Sequence, residues 1–267
     1  MRLTISHSTR YNFGAPVTFG LQQLRLTPKS RIGQTVLRWQ TMVNGGKKQT
    51  EYHDQHNNTV NLIKIEPGVE EITIQSQGEV DTSNTNGVLG AHGGWAPLWY
   101  FTRSTALTQA GQGVADLIGE YAGKEDMSVA RLHDLSAKIL NALPYGTGDT
   151  DVKTTAEEAL KKEHGVCQDH THIFVAAARE LGFPARYVSG YLMMRDDIEQ
   201  NASHAWAEVH VEGLGWVGFD VSNQISPDEG YVAVATGLDY SEAAPISGLN
   251  FGSGKVGMSV SLQVQQQ

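Results

Sequence analysis

Over the first ninety or so residues the apolar positions come in short alternating or continuous runs: LTISHSTRYNF, QQLRLTP, TVLRWQTMV, TVNLIKIE and EITIQSQGEV. Alternation with a period of two sends one side of an extended segment into a core and the other into water, so each run predicts a β-strand. The segments between them have turn chemistry. NGGK at 44–47 offers the positive-φ geometry of a hairpin, and Pro67 with Gly68 sets another turn. Short strands in series with this punctuation predict an antiparallel β-sandwich over residues 1–93.

GVLGAHGGWAPLWYF at 87–101 breaks that period with glycines and aromatics and reads as the join to a second unit. Past it the spacing of apolar residues lengthens to three and four. GVADLIGEYA and SVARLHDLSAKILNAL are therefore predicted helices, the second stopped by Pro144. TTAEEALKKEHG places Thr154 and Thr155 three residues before Glu157 and Glu158, the spacing of a capping box, and closes on Gly165. A further helix over 167–181 has Ile173, Phe174, Ala177, Ala178 and Leu181 as its inward stripe, with Gly182 and Pro184 ending it. RYVSGYLMM, HAWAEVHVEG and GWVGFDVS then read as strands on short turns, and VGMSVSLQV as one more. The expected fold class is α+β: the sandwich, then a domain over 94–267 with helices packed on an antiparallel sheet.

Composition narrows the classes. With 267 residues, 40% of them hydrophobic, the chain has ample material for packed cores. No stretch approaches the roughly eighteen consecutive apolar residues of a membrane span, and MRLTISHSTRYNF lacks the apolar block of a signal peptide. A cytoplasmic protein without a membrane role is the expectation. A formal charge of −9 and the absence of any basic run argue against nucleic-acid binding, which rests on clustered Lys and Arg. A single cysteine excludes an internal disulfide and a multi-thiolate zinc site. Cys167 is then either a small buried apolar residue or a working thiol.

Its position favours the second. A thiol attacks as thiolate, and free cysteine, with a pKa of roughly 8.5, is mostly protonated near neutrality unless its surroundings favour the anion. A helix N-terminus does so through unpaired N–H groups and the positive end of the dipole, and the same N–H groups can receive an oxyanion. An imidazole must exchange the proton, and His204, which opens HAWAEVHVEG, can reach the helix tip from a sheet edge. His210 is the rival on the same strand face, deeper along the strand and better suited to structure. Asp220, closing the apolar run WVGF, is the candidate acceptor that orients the imidazole.

GVCQDHTHIFVAAARELGFPARYVSGYL at 165–192 and HAWAEVHVEGLGWVGFDVSN at 204–223 closely resemble the core of bacterial transglutaminase-like proteins of the papain-like superfamily. In that pattern a GxCxD-type helix start carries the nucleophile, HAWxEV the base and GWxxFD the orienting acid. The resemblance implies Cys167, His204 and Asp220 as a triad, acyl transfer on amide bonds through a thioester, a protein or peptide substrate, and no cofactor. It favours hydrolysis over transfer to an amine. YNFGAPVTFGLQQLRLTPKSRIGQTVLRW at 11–39 is similar to the β-rich N-terminal domain fused to such cores, and GLDYSEAAPISG at 237–248 to their closing motif. DQHNN at 54–58 departs from the usual aromatic and glycine pair before the asparagine.

Other readings compete. His164, Cys167, His170 and His172 are close enough in sequence for a zinc site, but helical spacing turns His172 to another side and His164 precedes the Gly165 break. His170 and His172 read as packing residues, and Asp169 as a cap on its own first turn. Tyr191, Trp206 and Trp216 could line an acyl groove, yet aromatics in strands are mostly core. A catalytically silent binding scaffold, or a β domain that carries the biological role, are the alternatives to an enzyme.

Overall fold

The computed structural model describes residues 1–121, 128–194, 199–200, 202–252 and 254–267. Seven strands come first: β1 (Arg2–Phe13), β2 (Phe19–Thr27), β3 (Gln34–Asn44), β4 (Gly46–His53), β5 (Thr59–Ile65), β6 (Glu71–Thr82) and β7 (Val88–Gly90). A 3-10 turn at Leu98–Thr102 leads into α1 (Gln112–Ile118), α2 (Val129–Ala142), α3 (Ala156–Ala159) and α4 (Cys167–Glu180). The rest is β8 (Ala185–Leu192), β9 (Glu199–Gln200), β10 (His204–Val211), β11 (Gly215–Phe219), β12 (Tyr231–Gly237), α5 (Tyr240–Ala243), β13 (Ile246–Phe251) and β14 (Val256–Gln266). Ala122, the last residue of the first predicted helix, and residues 196–198 and 201 of the polar segment before His204 lie outside the described residues.

Three antiparallel sheets result, in the orders β3-β6-β1-β14-β9, β13-β2-β5-β4 and β12-β8-β10-β11-β7. The first two face each other over Phe13, Leu24, Ile63, Ile65, Ile72 and Ile74, the predicted sandwich. The apolar alternation that foretold β1 and β6 is their burial pattern. β4 had no such signal, because GKKQTEYH is an exposed edge strand that buries almost nothing and carries two lysines on its free edge.

The sheets do not divide the chain at residue 93. β13 pairs with β2 and β14 with β1, so the C-terminal strands complete the sandwich, while β7 adds to the edge of the third sheet. The reason is apolar area: Leu262 and Val264 of β14 extend the surface of Leu3 and Ile5 that packs on Tyr191, Val232 and Val234. Sequence alternation shows that a strand has a buried face and is silent about its neighbour.

Two side-chain amides tie the domains together. Gln34 and Asn58 each exchange two hydrogen bonds with the backbone of β12, at Ala233 (2.9 and 2.8 Å) and at Thr236 (2.7 and 2.9 Å). They stand in for a neighbouring strand on an edge that is wholly buried and would otherwise hold orphaned N–H and C=O groups. Asn57, just before, has φ 60°, a left-handed conformation that glycine adopts freely and Asn tolerates. That accounts for how DQHNN dispenses with the usual glycine.

In the third sheet's domain α4 lies on β10 and β11, burying Ile173, Phe174 and Ala177 against Ala207, Val209 and Phe219. The capping box forms between Thr155 and Glu158, with reciprocal bonds of 3.2 and 3.0 Å, on an α3 of only one turn. Glu157 turns the other way and accepts from the N–H groups of Gly111, Gly113 and Val114 at the start of α1. Among the described residues no helix is long and apolar enough to cross a membrane.

Candidate active site

Cys167 is the first residue of α4 and is half-buried. The chain reaches it through a close approach that only glycine permits: a Cβ on Gly165 would stand 2.5 Å from Leu143. Paired backbone bonds, Gly146 to Gly165 (2.9 Å) and Gly165 to Pro144 (3.1 Å), fix that turn. Asp169 caps the helix as expected, its Oδ2 accepting from the Val166 N–H (2.8 Å) and the Thr150 hydroxyl (2.7 Å). The first-turn N–H groups beside the thiol have no carbonyl partner within the helix.

The antiparallel pairing of Ala207 with Phe219 lays the start of β10 beside the end of β11. There His204 Nε2 donates to Asp220 Oδ2 at 2.6 Å. The same oxygen accepts from the Tyr231 hydroxyl (2.7 Å) and Asn223 Nδ2 (2.7 Å), and Oδ1 accepts from the Asn223 N–H (3.2 Å). Burial alone would push the Asp220 carboxyl up, but His204, Asn223 and Tyr231 hold it below its ordinary range. Burial would likewise lower His204; hydrogen bonds to Asp220 and Cys167, and their negative charge, instead raise it to about 10. With Nε2 committed to Asp220, the thiol contact falls to Nδ1. Trp206 stacks against the His204 ring, with centroids 6.3 Å apart. This is the arrangement of a cysteine-nucleophile enzyme.

Cys167 and His204 open onto a cleft of about 430 Å³ whose walls include Tyr145, Tyr187, Gln168, Met194 and Tyr240. Burial, then the charge of Cys167, pushes the Tyr187 phenol well above its usual range, so it stays a neutral donor. Among the described residues, Gln168 Nε2 is buried without a partner.

Residues 115–221 match the transglutaminase-like superfamily model, and residues 3–81 the bacterial transglutaminase-like N-terminal region. The chain is thus similar, region by region, to bacterial transglutaminase-like proteins. An uncharacterized protein of Mycobacterium leprae is 27% identical, over 98% of both chains. One from Mycobacterium tuberculosis is 26% identical over 93% of this chain and 87% of its own. A crystal structure from Cytophaga hutchinsonii, of a protein described as a candidate cysteine protease, superposes with a TM-score of 0.78 at 21% identity, covering 100% of this chain and 91% of that one. At that identity the likeness speaks for the fold.

Within the region that matches the transglutaminase-like model, the competing readings separate by geometry. His210 sits at the far end of β10 with its ring 5.5 Å from Trp216, away from the thiol. His170 spends both ring nitrogens, on Ser222 Oγ (2.8 Å) and the Leu143 carbonyl (2.8 Å), leaving no lone pair for a metal. Burial lowers its pKa. His172 accepts from the Tyr240 N–H and is likewise lowered by burial, to about 4. Tyr191, Trp206 and Trp216 are core residues, and the indole of Trp216 carries the Arg186 guanidinium 4.0 Å above its ring. Sequence reasoning missed Asn223, Tyr231 and Gln168. Asn223 had a signal in its place three residues past Asp220; Tyr231 opens the apolar run YVAVATG and looks like any core aromatic.

Proposed function

We propose that this transglutaminase-like protein is a cysteine peptidase or amidase with Cys167 as nucleophile, His204 as acid and base, and Asp220 as the group that orients His204. The observation that carries the reading is the single imidazole that is hydrogen-bonded to Asp220 and shares the mouth of a cleft with Cys167. The Cys167 thiolate attacks the substrate carbonyl carbon, a C–S bond forms, and the carbonyl electron pair moves onto oxygen. That oxyanion is received by the Cys167 N–H at the start of α4. Collapse breaks the C–N bond, and the departing amine takes the proton from His204, leaving a thioester. A water then gives its proton to His204 and attacks the thioester carbonyl, and loss of the thiolate completes hydrolysis.

Asp220 keeps the imidazole in one orientation and stabilises its cation, as the second carboxylate-type member of such triads does. Brief iodoacetamide exposure with mass spectrometry tests the activation: Cys167 should alkylate faster at neutral pH than a free thiol, and His204→Ala should remove the advantage. Equal rates in all three would overturn the assignment. A γ-glutaminyl peptide with a labelled primary amine separates hydrolysis from transfer, since persistent amine incorporation makes the protein a transferase instead.

A further inference from the structure

The inner face of the first sheet has two covers with a gap between them. At one end Leu3, Ile5 and Leu262 pack on the catalytic domain; at the other Phe13 lies under the second sheet. Between these ends are two cross-strand pairs, Thr9 with Val260 and Tyr11 with Met258. Alternation aims Val260 and Met258 to the same side as the buried Leu262, yet Met258 is 63% exposed. The gap forms a groove of about 180 Å³ over these four residues.

That groove also touches Ala202, Ser203 and Tyr240, and those three residues line the cleft of Cys167 as well. The two cavities adjoin, with Ala202, Ser203 and Tyr240 as their shared wall. None of the described residues lining either part is Lys, Arg, Asp or Glu, in a chain with 20 basic and 29 acidic residues. An uncovered methionine in a concave, uncharged setting is an adaptable apolar contact awaiting a partner. Adjacency to the cleft points to that partner, because a peptide whose carbonyl reaches Cys167 and whose chain continues past Tyr240 enters the groove.

We propose that the β-sandwich supplies a distal substrate subsite: an extended peptide runs from the thiol past Tyr240 and seats an uncharged apolar side chain against Tyr11, Met258 and Val260. This rests on the acyl-transfer reading of Cys167. It gives the N-terminal domain and the returning strand β14 a part in selecting substrate, and it makes the enzyme one for polypeptide rather than for small amides.

Internally quenched decapeptides carrying Leu, Asp or Lys at each position on either side of the scissile bond, with a dipeptide amide as reference, test it on the full chain. The wild type should favour Leu at one distal position by about 10-fold or more in kcat/KM, a difference of the size one apolar contact supplies. Met258→Asp should erase that preference, chiefly through KM, and Met258→Lys should transfer it to the Asp peptide. Neither change should alter dipeptide turnover or Cys167 alkylation. A Leu preference untouched by both substitutions overturns the subsite, as does a change in sedimentation with the preference intact, which would make the groove a contact between copies. Slow Cys167 alkylation in the wild type would instead sink the underlying catalytic reading, so the two failures are distinct.

Discussion

β10 presents two buried charged clusters on one face, and they differ in what is left over. Glu208, four residues beyond His204, accepts from Arg31 (2.6 Å) and Arg186 (2.7 Å) and is 1% exposed. Burial would raise its carboxyl, and the two arginines hold it below its ordinary range. Both carboxylate oxygens there are taken by guanidinium groups, Trp216 roofs Arg186, and Arg31 comes from the sandwich, so the cluster fastens two domains. At His204 the carboxylate is as fully engaged, yet one side of the ring ends on a thiol that faces a cleft. Buried charge becomes chemistry where the network stops one bond short of closure.

Substitutions at the two clusters should therefore fail in different ways. Cys167→Ala removes the open end and should lower kcat on a cleaved peptide by about 10⁶-fold with an unchanged melting temperature. Asp220→Ala should cost about 10⁴-fold in kcat, because the imidazole loses its orientation and its cation loses its partner. Glu208→Ala should do the reverse: about 3–5 kcal/mol less stability in denaturant melts, from two arginines left buried and unpaired, with kcat for the folded fraction preserved. Should Glu208→Ala reduce kcat as deeply as Asp220→Ala, the separation of the clusters is wrong.

The open cluster was legible in the sequence and the closed one was not. Cys167, His204 and Asp220 stand at the ends of apolar runs, a helix start and two strand termini, where a polar side chain can be both held and exposed to substrate. Glu208 lies in the middle of HAWAEVHV, and its partners come from residues 22 positions earlier in one case and 177 in the other. Contacts at such separations leave no local pattern. The return of β13 and β14 to the sandwich was hidden for the same reason, and the edge strand β4 because a strand that buries nothing needs no alternation. The capping box at Thr155 and the cap at Asp169 were readable, being contacts within one turn.

The protonation states of the histidines offer the finest test of the comparison. His204 is raised to about 10, so its contribution to stability is fully present below the unfolded value of roughly 6.5 and is lost as pH climbs through the folded value. Asp220 is lowered, so its contribution is present above the ordinary carboxylate value of roughly 3.9 and is lost as pH falls through its depressed one. Both conditions hold in full only between roughly pH 4 and 6.5, so the stability difference between wild type and Asp220→Ala should be flat in that window, decline steadily above it as the unfolded imidazole loses its proton, and shrink again in acid. Imidazole ¹⁵N spectra should then show His204 as a cation that does not titrate between about pH 5 and 8. His170 and His172, whose pKa values burial lowers, should be neutral in the same spectra. In Asp220→Ala the His204 resonance should move toward the neutral form within that window, since burial still disfavours the cation and one of its two stabilising partners is gone. A wild-type His204 titrating near its unperturbed value would mean that the imidazole holds no standing charge for the thiolate. The open end of the network would then be one more neutral hydrogen bond, no different in kind from those that close around His170.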